Sequence, residues 1–385
     1  MTPLNSWLTN TLRPYFGLHP IEEHWGTIEI RDDYYICVDG DIIKKRIFVN
    51  EQAYQEADVE IPTRNCEVIL PQTARGKEKK MNYTNISSVK ANGVVFSAGV
   101  RTEDPPSSHI NARNMKTYFS LPLTNMKNLT SKEEIVEWLH QYPSNLPPDY
   151  DLQLEKLTRK KSLRYKAVPG DIFRVEIDLF TDGFVLVIGD LRQMQKDGLF
   201  SKDSLWNDVM TMPLFIRPYL FKTTNRCPSI EDITSVQLSE QTLIVMDDLF
   251  MRGGYEKVGH KTLTETDILL PLGYGINIDN GKEERYRLSW GTGTISKSEQ
   301  ETSFKTGSRF SNYGVQAGID VKCFDTFSRS RSLDNPLYTK EHKQALAEFG
   351  FPKDITYDEF NRQTGGLTRL EYLDYLSKKY ARTRK

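Results

Sequence analysis

Residues 184–189 read FVLVIG, an unbroken apolar run with no polar position to turn toward water. A strand of that kind must be covered on both faces, so the chain has to build a layered core around it. Its neighbours agree: DIFRVEIDL follows Pro169-Gly170 and MPLFIRPYLFK comes later, each bounded by turn residues. Further along, YGINIDNGKEERYRLSW sets Asn280-Gly281 between alternating stretches, which predicts a hairpin closed by a type I′ turn. The end of the chain changes character. KEHKQALAEF lies between Thr339 and Gly350, and Thr356-x-x-Glu359 and Thr368-x-x-Glu371 have capping-box spacing, so three short helices are expected there.

The first half is also strand-like, through GTIEIRDDYYICV, DIIKKRIFV, CEVILP, GVVFSAGV and TYFSLPL. Thr130-Ser131-Lys132-Glu133 precedes Ile135, Val136, Trp138 and Leu139, which predicts one amphipathic helix capped by the Thr130 hydroxyl and the Glu133 carboxylate. Three prolines then fall between Tyr142 and Leu152, followed by the basic run LQLEKLTRKKSLRYK. By count, residues 1–150 carry 16 basic and 19 acidic side chains, 151–166 carry six and two, and the remainder 29 and 31. The sequence thus predicts an α+β protein: a β-rich N-terminal domain over 1–150, a basic linker over 151–166, and a C-terminal domain over 167–385 built as a twisted β-barrel or sheet with a helical appendage.

The totals of 51 Lys+Arg and 52 Asp+Glu leave a formal charge of −1, so no global field drives binding to nucleic acid or an anionic membrane. The opening MTPLNSWLTNTLRPYFG has neither the basic start nor the apolar core of a secretory signal, and no apolar stretch is of membrane-spanning length, which predicts a cytoplasmic protein with no membrane partner. Cys37, Cys66, Cys227 and Cys323 are far apart and form no CxxC pair, the pattern of reduced thiols. His19, His24, His109, His140, His260 and His342 show no metal-ligand spacing, and neither a phosphate-cradling glycine loop nor a GxSxG elbow occurs. No cofactor and no metal is expected.

Candidate binding residues come from MDDLFMRGGYE: Asp247 and Asp248 beside Arg252 and Tyr255 offer either an acidic face to a partner or a solvated loop with a local ion pair. Asp171, Asp182 and Asp190 each adjoin a glycine and read as turn residues. Trp206 and Trp290 sit in strand-like surroundings and read as core. A nucleic-acid footprint could draw on Arg75, Lys77, Lys79 and Lys80 with Arg159, Lys160 and Lys161, although neither half is net basic.

From about Ser162 to Tyr380 several blocks, in order, resemble the bacterial family called immunity protein 26, a family also labelled with the name of a HocA-type phosphotriesterase. The blocks are VPGDIFRVEI with GFVLVIGDLRQMQKDGL, MTMPLFIRPYLFKT, VMDDLFMRGGYEKVGHKTLTETDILLPLGYG, LSWGTG, SNYGVQAGID and FGFPKDITYDEFNRQTGGLTRLEYLDYL. The resemblance implies a β-rich domain that neutralises a cognate polymorphic toxin by occluding it, encoded beside that toxin, and it says nothing of residues 1–150. It carries no agreed catalytic residues, and the expectation is a non-catalytic binding protein. The rivals are a nucleic-acid-associated or phage-defence accessory protein and a phosphotriesterase-like hydrolase. A metal-dependent hydrolase would need clustered ligands, whereas this half has only His260 and His342.

Overall fold

The computed structural model describes residues 3–73, 75–91, 93–101, 107–123, 129–240, 242–276, 285–301, 314–324 and 340–380. The chain divides into two compact units, the first formed by Met1–Arg164 with Asp178–Phe180 and Arg252–Gly254, the second by Tyr165–Ile177, Thr181–Met251 and Tyr255–Lys385.

In the first unit β1 (Gly26–Arg31), β2 (Tyr34–Asp39), β3 (Ile42–Val49) and β4 (Ala53–Arg64) run as an antiparallel meander. The far end of β4 carries the small ribbon β5 (Val68–Ile69) and β6 (Lys79–Lys80), while its near end pairs with β7 (Val94–Arg101), which pairs with β8 (Ser107–Asn114). GTIEIRDDYYICV is therefore two strands, folded at Asp33, whose φ of 64° marks the turn. TYFSLPL forms only an isolated bridge at Ser120, and CEVILP contributes just Val68 and Ile69.

Among the described residues three α-helices complete this unit: α1 (Tyr83–Ser88), α2 (Lys132–Gln141) and α3 (Tyr150–Thr158). The cap of α2 is Ser131 with Glu134, one residue later than the sequence suggested, and Thr130 donates to the same Glu134 carboxylate. Much of the basic stretch expected as linker is α3, with Leu157 buried in the core beside Phe16, Val94 and Leu139. Arg13, Lys45 and Glu56 are all 0% exposed within this unit. The Arg13 Nε lies 3.0 Å and the Lys45 Nζ 2.7 Å from the Glu56 carboxylate, and Tyr54 donates to it as well.

The second unit holds a five-stranded antiparallel sheet ordered β12-β11-β10-β9-β13, from β9 (Asp171–Glu176), β10 (Asp182–Asp190), β11 (Pro213–Thr223), β12 (Leu243–Met246) and β13 (Glu256–His260). FVLVIG is the heart of β10, the middle strand, and it is buried throughout. Phe184, Leu186 and Ile188 face a core with Trp206, Trp290 and Tyr372, and Val185 and Val187 face another with Phe173, Phe250 and Phe324. A three-stranded sheet of β14 (Leu272–Ile276), β15 (Arg285–Trp290) and β16 (Gly293–Ser298) supplies part of the cover. β14 and β15 pair as the expected hairpin arms, while the Asn280-Gly281 turn lies outside the described residues. Both sheets are open; no closed barrel forms among the described residues, because β12 and β13 lie at opposite ends of the larger sheet and do not pair with each other, β12 meeting only an isolated bridge at Gln316.

Short helices α4 (Leu191–Lys196), α5 (Ile230–Thr234) and α6 (Asp248–Arg252) join these strands, and α7 (Lys340–Glu348), α8 (Tyr357–Thr364) and α9 (Arg369–Tyr380) follow them. The boxes at Thr356–Glu359 and Thr368–Glu371 are formed, whereas Thr339 lies outside the described residues. α9 is fixed to the central strand by Tyr372, fully buried, whose hydroxyl donates to the Ile188 carbonyl at 2.9 Å. No helix among the described residues is long and apolar enough to cross a membrane.

Candidate functional site

β9 begins directly after the Pro169-Gly170 turn, and its first residue, Asp171, is 0% exposed. The backbone of Asp171 closes that turn by donating to the Val168 carbonyl, as a turn residue should. Its carboxylate does something the turn reading missed. Oδ1 lies 2.8 Å from both Lys257 Nζ and His260 Nδ1, while Oδ2 accepts from the Tyr165 hydroxyl and, at 3.0 Å, from the Val168 amide. A buried carboxylate without partners would cost several kcal/mol by the order of magnitude for desolvated ions, about enough to unfold a marginal unit. Four donors remove that penalty.

The strand register explains how Lys257 and His260 come together. They are three residues apart, which on a regular strand sends side chains to opposite faces. β13 pairs His260 with Asp171 and Lys257 with Phe173, and the register shifts between Lys257 and Gly259. That bulge adds one residue, so both side chains share the face that carries Asp171. Gly170 makes room on the other side: its φ is +99°, and a Cβ there would stand 2.5 Å from the Lys261 carbonyl and 2.6 Å from the His260 ring. Only glycine fits that position.

These residues line a cavity of about 840 Å³ in the second unit. One wall is apolar, from Val168, Pro169 and Leu263 together with Leu373, Leu376 and Tyr380 of α9. The rim holds Lys166, Lys257, His260 and Lys261, and Asp171 is the only acid on the lining among the described residues. Lys261 is paired with Asp267 at 2.9 Å. Burial pulls the Lys257 ammonium down, but hydrogen bonds to Asp171 and, at 2.7 Å, to Tyr165 outweigh it and raise the group above its ordinary value. The Tyr165 phenol is likewise pushed up, by burial and by its bond to Asp171. At neutral pH Tyr165 is therefore a donor and Lys257 a cation. The arrangement can hold an anionic or hydrogen-bonding group at its rim against an apolar wall. It supplies no activated oxygen nucleophile among these groups, since the one hydroxyl on the carboxylate is held protonated.

The other candidate residues fall elsewhere. Asp247 precedes α6 and Asp248 starts it; both are half-buried, and the Asp247 carbonyl accepts from the Met251 amide. Tyr255 packs its ring on Phe250 and receives the Ile319 amide on its hydroxyl. Arg252 groups with the first unit, its guanidinium 4.3 Å from the Tyr118 ring centre. Asp182 is fully buried against Arg226 at 2.7 Å, with burial raising its carboxyl above the usual range despite that cation. Asp190 caps α4 through Gln193. Trp206 and Trp290 are core residues, at 0% and 2% exposure. Arg75, Lys77, Lys79 and Lys80 sit on or beside the β5–β6 ribbon, apart from Lys160 and Lys161, which follow α3. No group of three or more His, Cys, Asp or Glu placed to hold a metal ion occurs among the described residues.

The family model described as immunity protein 26 matches residues 168–284, from the turn before β9 through β14. Residues 168–284 form an immunity protein 26 domain. The matched segment is shorter than the resemblance read over about 162–380 and covers less than a third of the chain, leaving Tyr165 and α9 outside it. Within the domain lie Asp171, Lys257 and His260; beyond it lie the helix that walls the cavity and Met1–Arg164 of the first unit. No curated protein and no solved structure gives a significant match to this chain.

Proposed function

We propose that the immunity protein 26 domain neutralises a cognate protein toxin by binding it, and that the cavity around Asp171 is part of the surface that meets the toxin. The family match over residues 168–284 carries this reading. The chemistry of the site supports binding over turnover: the Asp171 carboxylate is saturated by four donors, Tyr165 is held protonated, and cations ring an apolar wall. Such a mixture suits an acidic side chain entering beside an apolar one, the composition of an interface anchor rather than of a reaction centre.

Co-expression with the reading frame adjacent to this gene, followed by pull-down at moderate salt, tests the reading. Rescue of growth together with a recovered complex is the expected result; a harmless neighbour and no complex sinks it. For the cavity itself, Lys166→Glu reverses a rim charge whose side chain is 67% exposed; it breaks a 3.8 Å pair with Asp190, a loss of about 0–1 kcal/mol for a surface pair, so the fold is retained. It should weaken the complex about tenfold, as truncation at a contributing contact does. An unchanged dissociation constant for both Lys166→Glu and Lys257→Ala would move the interface off this cavity.

A further inference from the structure

The first unit contains a second, larger cavity, of about 980 Å³, whose lining among the described residues holds seven Lys or Arg and no Asp or Glu. Its floor is one continuous patch of the meander: the register sets Tyr34 of β2 against Phe48 of β3, Phe48 against Gln55 of β4, Arg46 against Ala57, and Ala57 against Val95 of β7. Arg46 has a structural task there, since its guanidinium donates to the carbonyls of Ile86, Ser87 and Val89 and so satisfies the C-terminal end of α1. Lys90, Lys116, Lys160, Lys161 and Arg164 are different. None of these five is paired with a carboxylate among the described residues, and all but half-buried Lys116 are exposed.

The cationic walls are held in place rather than trailing in solvent. Asn114, 0% exposed, donates to the carbonyls of Leu157 at 2.7 Å and Arg159 at 2.9 Å, and its Oδ1 accepts the Lys116 amide at 2.7 Å. One buried amide thus ties the segment carrying Lys160 and Lys161 to the turn carrying Lys116, so cations from separate stretches of chain face one groove. Five unneutralised cations with a fixed backbone repel one another, a cost that an anion with several charges relieves. The floor adds half-buried Phe48, Tyr83 and Tyr118 with exposed Met115, an apolar and aromatic surface that a simple polyanion would not use.

We infer that this groove binds single-stranded nucleic acid, with the phosphates on Lys90, Lys116, Lys160, Lys161 and Arg164 and the bases against the aromatic floor. Unstacked bases are what such a floor can take and what a duplex withholds. This site is separate from the toxin-binding reading and uses Lys160 and Lys161 without the β5–β6 ribbon.

Fluorescence anisotropy with the full chain and labelled mixed-sequence RNA and DNA of about twelve nucleotides, a length within the range of known single-strand sites, tests this. With five phosphates neutralised, affinity should fall about a hundredfold between 50 and 200 mM salt. The double variant Lys160→Glu/Lys161→Glu, at exposed positions, should bind at least about tenfold more weakly and show a shallower salt slope. Unlabelled single strand should outcompete both duplex and heparin of matched charge. No binding at 50 mM salt, an unchanged variant, or equal competition by duplex or heparin would each overturn the inference.

Discussion

Replacing Glu56 by glutamine should destabilise the first unit by about 3–5 kcal/mol, the cost of removing one partner from a buried ion cluster. Arg13 and Lys45 are both 0% exposed, so neither can turn to water when the charge between them disappears. Lys45 keeps Asp58, but glutamine leaves one acceptor oxygen where the carboxylate had two and turns an NH2 toward the other donors, so Arg13 Nε and the Tyr54 hydroxyl cannot both keep their bonds. A surface pair such as Lys378–Asp374, with both side chains more than half exposed, is worth about 0–1 kcal/mol by contrast. Hydrogen exchange of the Ile42–Arg64 amides measures the loss, with the second unit as internal control. A change under about 1 kcal/mol would show that the cluster contributes no more than a surface pair.

The same carboxylate sets an acid limit. Burial alone would raise Glu56, but Lys45 and Arg13 attract its charged form strongly enough to hold it below the ordinary carboxylate value. A folded value below the unfolded one means that the stabilisation is fully present above the unfolded value and disappears as pH falls through the folded one. The glutamine variant, already without that contribution, should show a flatter acid dependence of exchange in β3 and β4.

Strand composition was legible where burial alone decided it. FVLVIG announced a strand covered on both faces, and β10 is that strand, because no arrangement leaves six consecutive apolar residues half in water. Turn chemistry was legible only in part: Thr356 and Thr368 cap as spaced, yet at the start of α2 two adjacent hydroxyls competed and Ser131 took the cap while Thr130 bound the same glutamate from outside the helix. β4 was missed, since AYQEADVEIPTR alternates around buried Glu56, and an inward-facing acid breaks the pattern that identifies a strand.

The Asp171 cluster was hidden for a sharper reason. Asp beside Gly is ordinary turn composition, and Lys257 and His260 stand at a spacing that points them apart unless a bulge intervenes. Nothing in EKVGH declares the bulge; it exists in the pairing with β9. Gly259 was the available hint, because an isolated glycine in a strand pattern often marks an irregularity. The wall from α9 was equally out of reach, as Leu373 and Leu376 lie more than a hundred residues further along the chain and meet the site only because Tyr372 fixes the helix to Ile188.

Asp171→Ala should cost the second unit about 2–4 kcal/mol, less than the Glu56 change despite four lost hydrogen bonds, because part of the hydrogen-bonding loss can be made up by water. Lys257 and His260 have side-chain exposures of 34% and 36% and can rehydrate, whereas the Val168 amide and the Tyr165 hydroxyl have less access. Asp171→Asn separates charge from shape. It keeps an oxygen acceptor at the hub but removes the attraction that, against burial, raises Lys257. A lysine with a folded value above its unfolded one contributes stability fully present below the unfolded value and lost as pH rises through the folded one. The wild-type second unit should therefore lose stability in strongly alkaline solution, and the asparagine variant should lose less of it there while being weaker at neutral pH. Exchange of the β9 and β13 amides across that range reads both effects; identical alkaline curves would mean that Lys257 draws its stabilisation from somewhere other than Asp171.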